Sequence, residues 1–180
     1  MRSLRSTLVV QAVALIMTSA AVSAQEVANE SQVKAAFLYN FAAFTEWPEG
    51  DGDTLLVGVV GDDGITELIA GTISGKTVSD RVVTIRSVTT AEEASAADIL
   101  YFTDGSSDRR AEFLPPDAEA HALVVGEAEG FAEDGGMVNF YIDQGRVRFE
   151  INVDEVEDAG LRMSSRLLRL ARIVSDAPDP

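Results

Sequence analysis

The stretch that most constrains the fold lies between residues 135 and 174, where strand, turn and helix signals follow one another with almost no intervening residues. From residue 147 to residue 153, apolar and polar residues alternate strictly, which is the period of a strand with one buried face. Residues 137–142 have the pattern of a partner strand, and Asp143-Gln144-Gly145 favours a tight turn between the two. The stretch therefore predicts a β-hairpin near the carboxyl end of the chain.

An amphipathic helix is predicted after this hairpin, beginning at a cap formed by Ser164 or Ser165. One face of the helix would carry apolar side chains at helical spacing, namely Leu167, Leu170, Ala171 and Val174. The opposite face would carry a stripe of arginines, namely Arg162, Arg166, Arg169 and Arg172. The stripe has two interpretations: cations stabilise the carboxyl end of a helix, or they meet an acidic patch of a second copy in a homodimer.

Four segments of the sequence resemble the YfiR-like family of small exported bacterial proteins. They read VKAAFLYNFAAFTEWP near the start, and GGMVNF, RVRFEIN and AGLRMSSRLLRLA near the end. The best-known members of this family are periplasmic repressors of membrane-bound diguanylate cyclases. The resemblance therefore implies a non-enzymatic periplasmic regulator. It would bind the periplasmic part of an inner-membrane diguanylate cyclase, hold that enzyme inactive and lower cyclic-di-GMP signalling.

Residues 1–24 are predicted to be a cleaved signal peptide. Arg2 and Arg5 precede an apolar run over residues 8–17, and Val22-Ser23-Ala24 supplies the small side chains of a cleavage site. An uncleaved membrane anchor is the alternative, but it would need a longer apolar run. The protein is accordingly predicted to be exported to the periplasm, and no other run is long enough to span a bilayer.

The rest of the chain predicts a single α/β domain over residues 31–174, between a flexible mature amino terminus at residues 25–30 and a flexible tail at residues 175–180. Hydrophobic residues make up 46% of the chain, enough for a packed core. Strand patterns alternate with short helical patterns, which is typical of βαβ connections. We therefore predict a mixed sheet of about six strands flanked by short helices, with the β-hairpin followed by the amphipathic helix at the end.

Charge and cysteine content exclude several classes of function. The formal net charge of −16 disfavours nucleic acids and anionic lipids as partners, because both would be repelled. The chain contains no cysteine, which rules out disulfides, thiolate catalysis and cysteine-ligated metals. Members of the YfiR-like family often carry cysteines, one of them near the segment that is residues 97–102 here. Redox switching of that kind is therefore not expected in this protein.

No catalytic or cofactor-binding constellation is predicted. His121 is the only histidine, and it has no Cys or His at metal-ligand spacing. No GxSxG motif is present, and a serine nucleophile would have only His121 as its base. The acidic loops at residues 49–53 and 61–63 fit neither a calcium-binding nor a phosphate-binding pattern. We therefore predict that the protein is not an enzyme and binds no cofactor.

The first helix is one candidate surface for a partner. It is predicted to run to about residue 44, ahead of Trp47-Pro48. One side of this helix would carry Val33, Phe37, Asn40, Phe41 and Phe44. Leu38 and Tyr39 would point elsewhere, so the helix is apolar around much of its circumference. Either the helix is buried within the fold, or one of its sides meets another protein.

The polar face of the last hairpin strand is the other candidate surface. Arg146, Arg148, Glu150 and Asn152 recur at every second residue and would share one face. This face is either solvated and laced with cross-strand ion pairs, or a surface for a partner or ligand. The candidate partner-binding residues are Phe37, Leu38, Tyr39, Asn40, Trp47, Arg148, Glu150, Asn152, Arg162 and Arg166.

A second class of function stays open at this point. The protein could be a periplasmic small-ligand-binding or sensory module that acts on another membrane receptor, such as a histidine kinase. A deep pocket lined by polar groups at the carboxyl ends of the strands would favour ligand binding. A shallow, exposed apolar patch would favour a protein partner.

Overall fold

A mixed sheet of eight strands runs through the part of the chain that the computed structural model describes, which is residues 29–48, 52–61, 63–114 and 122–176. The predicted signal peptide, His121 and the last four residues lie outside these ranges. In chain order the elements are α1 (residues 29–44), β1 (Thr45–Glu46), β2 (Thr54–Val60), α2 (Asp63–Ile73), β3 (Thr77–Val78), β4 (Arg81–Ser87), α3 (Ala91–Ser95), β5 (Ile99–Phe102), a 3-10 turn (Ser107–Arg109), α4 (Arg110–Phe113), β6 (Leu123–Gly126), β7 (Val138–Asp143), β8 (Arg146–Asn152), α5 (Val153–Asp158), β9 (Arg162–Met163), α6 (Ser165–Leu168) and β10 (Arg172–Val174).

The strand order in the large sheet is β10-β8-β7-β6-β5-β2-β4-β3. The five central strands from β7 to β4 run parallel, whereas β8 is antiparallel to β7 and β3 is antiparallel to β4. The short strands β1 and β9 form a separate antiparallel pair. The predicted α/β class and mixed sheet are thus confirmed. The large sheet exceeds the expected six strands because the short edge strands β3 and β10 carry little periodicity of their own.

Helices and loops cover both faces of the sheet, so its central strands are apolar on both sides. On one face, α1 packs Phe41 against Phe140 of β7 and Phe149 of β8, with ring centroids 5.6 and 5.1 Å apart. On the other face, Phe102 of β5 contacts Phe113 of α4 at 6.0 Å. Burial on both faces is the reason why β2, β5 and β6 read as unbroken apolar runs rather than alternating ones.

The predicted hairpin is present as β7 and β8, joined by a two-residue turn. Gln144 has φ 49° and Gly145 has φ 72°, and positive φ at both central residues is the mark of a type I′ turn. This turn matches the right-handed twist of the strands and sets the register, which pairs Phe140 with Phe149. The alternation of the sequence therefore places these two rings on the face that α1 covers.

The predicted long amphipathic helix at the carboxyl end is wrong beyond its first turn. Ser164 does cap a helix, because its hydroxyl accepts a hydrogen bond from the Leu167 amide at 3.3 Å. The helix α6 ends at Leu168, however, and the chain then extends into β10, which pairs in parallel with β8. The open backbone edge of β8 needs hydrogen-bond partners, and this tertiary demand overrides a helix preference that is only local. The four arginines therefore do not form one helical stripe.

None of the helices in the described ranges combines the length and the hydropathy that crossing a bilayer requires.

Candidate functional site

Ligands often bind at the carboxyl ends of strands in sheets of this kind, which here include the ends of β2 and β5. The hydroxyls of Thr103 and Ser106 both donate to the Val60 carbonyl oxygen at the end of β2, at 3.2 and 2.8 Å. Gly61 has φ 123°, and a Cβ there would lie 2.0 Å from the Thr103 hydroxyl oxygen, so these residues pack tightly against one another.

The structure shows which side of α1 faces the sheet, a point that the sequence left open. Leu38 was a candidate partner-binding residue, but it is 0% exposed and belongs to the core, so it is not available to a partner. Ala35 and Ala42 are buried beside it, and their small side chains let the helix approach the sheet closely. Phe41 is also buried, whereas Val33 is exposed and Phe37 is only partly buried. Because α1 is apolar around much of its circumference, its periodicity alone did not decide which side faces the sheet.

An apolar groove lies between the exposed side of α1 and helix α6. Its volume is about 310 Å³, and it is lined by Phe37, Asn40, Phe44, Arg166, Leu167 and Leu170. We call this feature the α1 groove. Three of the predicted partner-binding residues, Phe37, Asn40 and Arg166, come together in it. Leu170 was predicted to be buried on a helix face and is instead 67% exposed at the rim, because the helix has already ended at that point.

The α1 groove carries positive charge at its rim. The Arg166 guanidinium lies over the Phe44 ring, 5.6 Å from its centroid. Arg169 is exposed in the turn after α6, next to the groove residue Leu170. Neither arginine belongs to an ion pair with the residues that the structure describes. The groove thus combines exposed apolar surface with arginines that have no carboxylate partner there, which is the composition of a protein-binding surface.

Half of the polar face of β8 is a buried network, contrary to the prediction that Glu150 and Asn152 bind a partner. Glu150 is 2% exposed and Asn152 is 0% exposed. Glu150 accepts from the Asn139 amide at 3.0 Å and from Arg172 Nε at 2.8 Å. Asn152 donates to the Ala132 carbonyl oxygen and to Asp176. The carboxyl-terminal segment covers these side chains, so Glu150 and Asn152 stabilise the fold and cannot contact a partner directly.

We expect Arg172 to stabilise the fold by pairing with the buried carboxylate of Glu150. Its hydrogen bond to this carboxylate raises the pKa of the guanidinium above its ordinary value. Arg172→Gln would leave a buried carboxylate without its charged partner, and we expect the free energy of unfolding to fall by about 2 kcal/mol. Urea denaturation at pH 7 measures this change. Arg169→Gln removes the same charge at an exposed position and should change stability by no more than about 0.5 kcal/mol. Equal losses would contradict a specific role for the Glu150 pair.

The remaining predicted partner-binding residues lie at separate places. Tyr39 is tied to β3, because its hydroxyl donates to the Thr77 carbonyl oxygen at 3.1 Å and Lys76 lies over its ring. Arg148 is exposed on the hairpin, across from Tyr141. Arg162 lines a small cavity beside α5 rather than the α1 groove. The sequence candidates are therefore not one contiguous site.

Trp47 lines a second, larger cavity at the amino ends of β2 and β4. The volume of this amino-end cavity is about 520 Å³, and Phe44 separates it from the α1 groove. The indole nitrogen of Trp47 donates to the Ala42 carbonyl oxygen at 2.9 Å. Thr45 is buried in the cavity wall, and its hydroxyl oxygen has no hydrogen-bond partner among the described residues.

One buried ion pair anchors the amino-terminal half of α1. Lys34 is 7% exposed and donates to Glu127, in the loop after β6, and to Glu30 at 2.5 Å. Burial raises the pKa of Glu127 against the lowering effect of the Lys34 ammonium. Burial acts to lower the pKa of Lys34, but the hydrogen bonds to the two carboxylates outweigh it and leave that pKa above its ordinary value. The pair links residues 93 positions apart and joins the amino-terminal half of α1 to the loop after β6.

No metal centre is formed by the residues described, since no three His, Cys, Asp or Glu side chains come together there as a site would require.

The fold and the groove define a small α/β domain that presents exposed apolar surface flanked by arginines. This chain belongs to the YfiR/HmsC-like family, whose model matches residues 31–172. The resemblance identified from the four sequence segments is thereby confirmed. The family is regulatory and non-catalytic, its members are periplasmic, and membership suggests a regulator of diguanylate cyclases.

Comparison with other proteins adds little beyond the family. No protein of curated function matches the chain. Two similar solved structures are the ABC domain of a Streptococcus pneumoniae protein in complex with L-Trp and a conserved domain protein from Vibrio cholerae O1 biovar El Tor. They share 11% and 14% sequence identity with the chain, at TM-scores of 0.47 and 0.46. The matches cover 68% and 66% of this chain but only 56% and 54% of the other chains, and they have no bearing on function.

Proposed function

We propose that the protein is a non-enzymatic periplasmic regulator that binds the periplasmic part of an inner-membrane diguanylate cyclase and represses it. The observation that carries this proposal is the α1 groove in a member of the YfiR/HmsC-like family. Exposed apolar surface of this kind costs free energy unless a partner covers it. The groove is therefore the surface that we assign to the cyclase.

Repression requires a difference in affinity rather than tight binding alone. The regulator must bind the inactive state of the cyclase more tightly than the active state, because equal affinity for both states shifts no population. A tenfold preference corresponds to about 1.4 kcal/mol, which one well-placed apolar contact can supply. Cyclic-di-GMP itself is made on the cytoplasmic side of the membrane and does not contact the regulator.

The direct test is the intracellular cyclic-di-GMP level in a strain that lacks the protein. We expect this level to rise several-fold relative to wild type, because the cyclase would be released from its inactive state. Expression of the chain from a plasmid should restore the wild-type level, and expression of the chain without residues 1–24 should not, since it would stay in the cytoplasm. An unchanged level, with the cell's cyclases expressed, would contradict the proposed function.

A small-ligand module is the second candidate function, and the amino-end cavity is the observation in its favour. The volume of this cavity, about 520 Å³, lies in the range of small-molecule sites. Trp47 is the only tryptophan of the chain and lines the same cavity, so its fluorescence reports on occupancy. A saturable change in this fluorescence, when periplasmic metabolites are titrated, would support a ligand.

A further inference from the structure

We propose that the α1 groove receives an acidic amphipathic helix of its protein partner. This inference rests on the proposed function only in taking the partner to be a membrane protein with a periplasmic part. The apolar side chains of that helix would enter between Phe37, Phe44 and Leu170. Its carboxylates would meet the guanidinium groups of Arg166 and Arg169.

The shape of the groove fits a helix. Phe37, Asn40 and Phe44 line one wall at helical spacing along α1, and Leu167 and Leu170 form the other wall. Val33 lies one turn before Phe37 and is also exposed, so the apolar surface of α1 continues beyond the groove. From residue 33 to residue 44 the helix extends about 16 Å, which matches about three turns of a helical ligand. Helix-in-groove recognition uses anchors at this spacing.

The charge of the groove selects an acidic partner. Arg166, which lines the groove, and Arg169, next to the groove residue Leu170, are exposed and form no ion pair with described residues, whereas the chain as a whole has a net charge of −16. The charge at the rim of the groove is therefore opposite in sign to the net charge of the chain. Complementary charge steers association and rejects partners of the wrong sign. An acidic segment is attracted to this rim, and a basic segment would be attracted elsewhere on the molecule.

The same charges argue against two other occupants. Two copies that met groove to groove about a two-fold axis would bring the arginines of one copy towards those of the other. An anionic membrane surface would be attracted to the arginines at the rim but repelled by the net charge of the whole chain. An acidic protein segment would pair with the arginines at the rim. It would avoid both the repulsion between arginines of two copies and the repulsion between an anionic membrane and the acidic chain.

Photo-cross-linking identifies the occupant directly. We would place p-benzoylphenylalanine at Leu170 in the full chain, irradiate whole cells and sequence the peptide that is joined to it. The matched control position is Leu68, which is exposed on α2. The expected product at Leu170 is a peptide of a membrane protein with apolar residues at i, i+3, i+4 and i+7 and an excess of Asp and Glu. The control at Leu68 should not yield this peptide. A product with a second copy, with the chain's own residues, with lipid or with a segment that is not acidic would overturn the proposal.

Charge reversal tests the role of the arginines. The segment identified by cross-linking would be synthesised as a peptide, and its binding to the protein would be measured by fluorescence anisotropy. Arg166→Glu is expected to weaken this binding at least about tenfold. Arg86→Glu makes the same change at an exposed position on β4 and should leave the affinity within about twofold. Circular dichroism and urea denaturation would establish that both variants fold. Equal affinity of the Arg166→Glu variant and wild type would overturn the proposal.

Failure of this inference can be told apart from failure of the proposed function. If deletion of the protein raises cyclic-di-GMP but Arg166→Glu still represses fully, the groove is not the docking site and the cyclase role stands. If deletion leaves cyclic-di-GMP unchanged but Leu170 is cross-linked to an acidic amphipathic helix of another membrane protein, the groove proposal stands and the cyclase role fails.

Discussion

Replacing Phe41 with alanine is expected to lower the free energy of unfolding by about 4 kcal/mol, a large part of the stability of a domain of this size. Phe41 is 0% exposed and lies at the centre of a ring cluster. Its ring contacts Phe37, Phe140 and Phe149 at centroid distances of 6.3, 5.6 and 5.1 Å. The alanine variant would lose the transfer free energy of the ring and leave a cavity that the rigid sheet cannot close. Urea denaturation monitored by far-ultraviolet circular dichroism measures the loss.

Phe37 provides the matched control for this prediction. It lies one turn earlier on the same helix and belongs to the same cluster, but it is partly exposed in the α1 groove. Phe37→Ala should therefore cost less, about 2 kcal/mol, since part of its ring area is already in water. Losses of equal size would mean that α1 does not pack in the orientation described here.

Replacing Lys34 with methionine is expected to lower the free energy of unfolding at pH 7 by about 3 kcal/mol, because Glu127 would remain as a buried charge without its cation. The Glu127 side chain is nearly buried, and its Oε1 atom has no hydrogen-bond partner within the described ranges. Methionine keeps the length of the lysine stem, so the packing of α1 is little changed. Most of the loss should therefore come from the unpaired carboxylate.

The pH dependence of the Lys34→Met variant distinguishes this cause from a packing defect. Burial already raises the pKa of Glu127, and removal of the ammonium raises it further. A carboxyl whose folded pKa lies above its unfolded value of 4.5 binds its proton more tightly in the folded state. The variant should therefore gain stability as the pH falls from 7 through the raised pKa, with the full gain present below the unfolded pKa. Urea denaturation at successive pH values follows this gain.

Two further variants complete the test of the ion pair. Lys34→Met combined with Glu127→Gln removes both charges, so it should recover much of the lost stability and show little of the added pH dependence. Lys76→Met changes the only other lysine of the chain at an exposed position, and it should cost no more than about 0.5 kcal/mol. A Lys34→Met variant whose stability does not improve on acidification would contradict the role of Glu127.

The hairpin and the buried strands could be predicted because each depends on neighbours within a few residues. Strict alternation predicted the two faces of β8, and the register now observed pairs Glu150 with Asn139 of β7. The turn was predicted from Asp143-Gln144-Gly145, and the positive φ of Gly145 is a local preference that needs no tertiary contact. The cap of α3 is equally local, because Thr90 accepts from the Glu93 amide at 3.2 Å.

The candidate site could be predicted only in part. Phe37, Asn40 and Arg166 were named separately from two distant segments, and only the packing of α6 beside α1 brings them into one groove. The exposure of Leu170 was not predicted, because its spacing from Leu167 fits the buried face of a helix. The β-branched pair Ile173-Val174 was the signal that the chain becomes a strand, but two residues carry little weight against strong helix formers.

What the sequence determined by itself is the set of local patterns: which segments are strands, where the hairpin turns, and which residues of each strand share a face. These follow from side-chain periodicity and backbone preference, which act over a few residues. The tertiary structure alone decided which side of α1 is buried, that Glu150 and Asn152 lie inside a hydrogen-bonded network, and that residues 172–174 pair with β8. Those outcomes depend on groups far apart in the chain, such as Lys34 and Glu127, whose burial and pairing exist only once the sheet and its helices have packed.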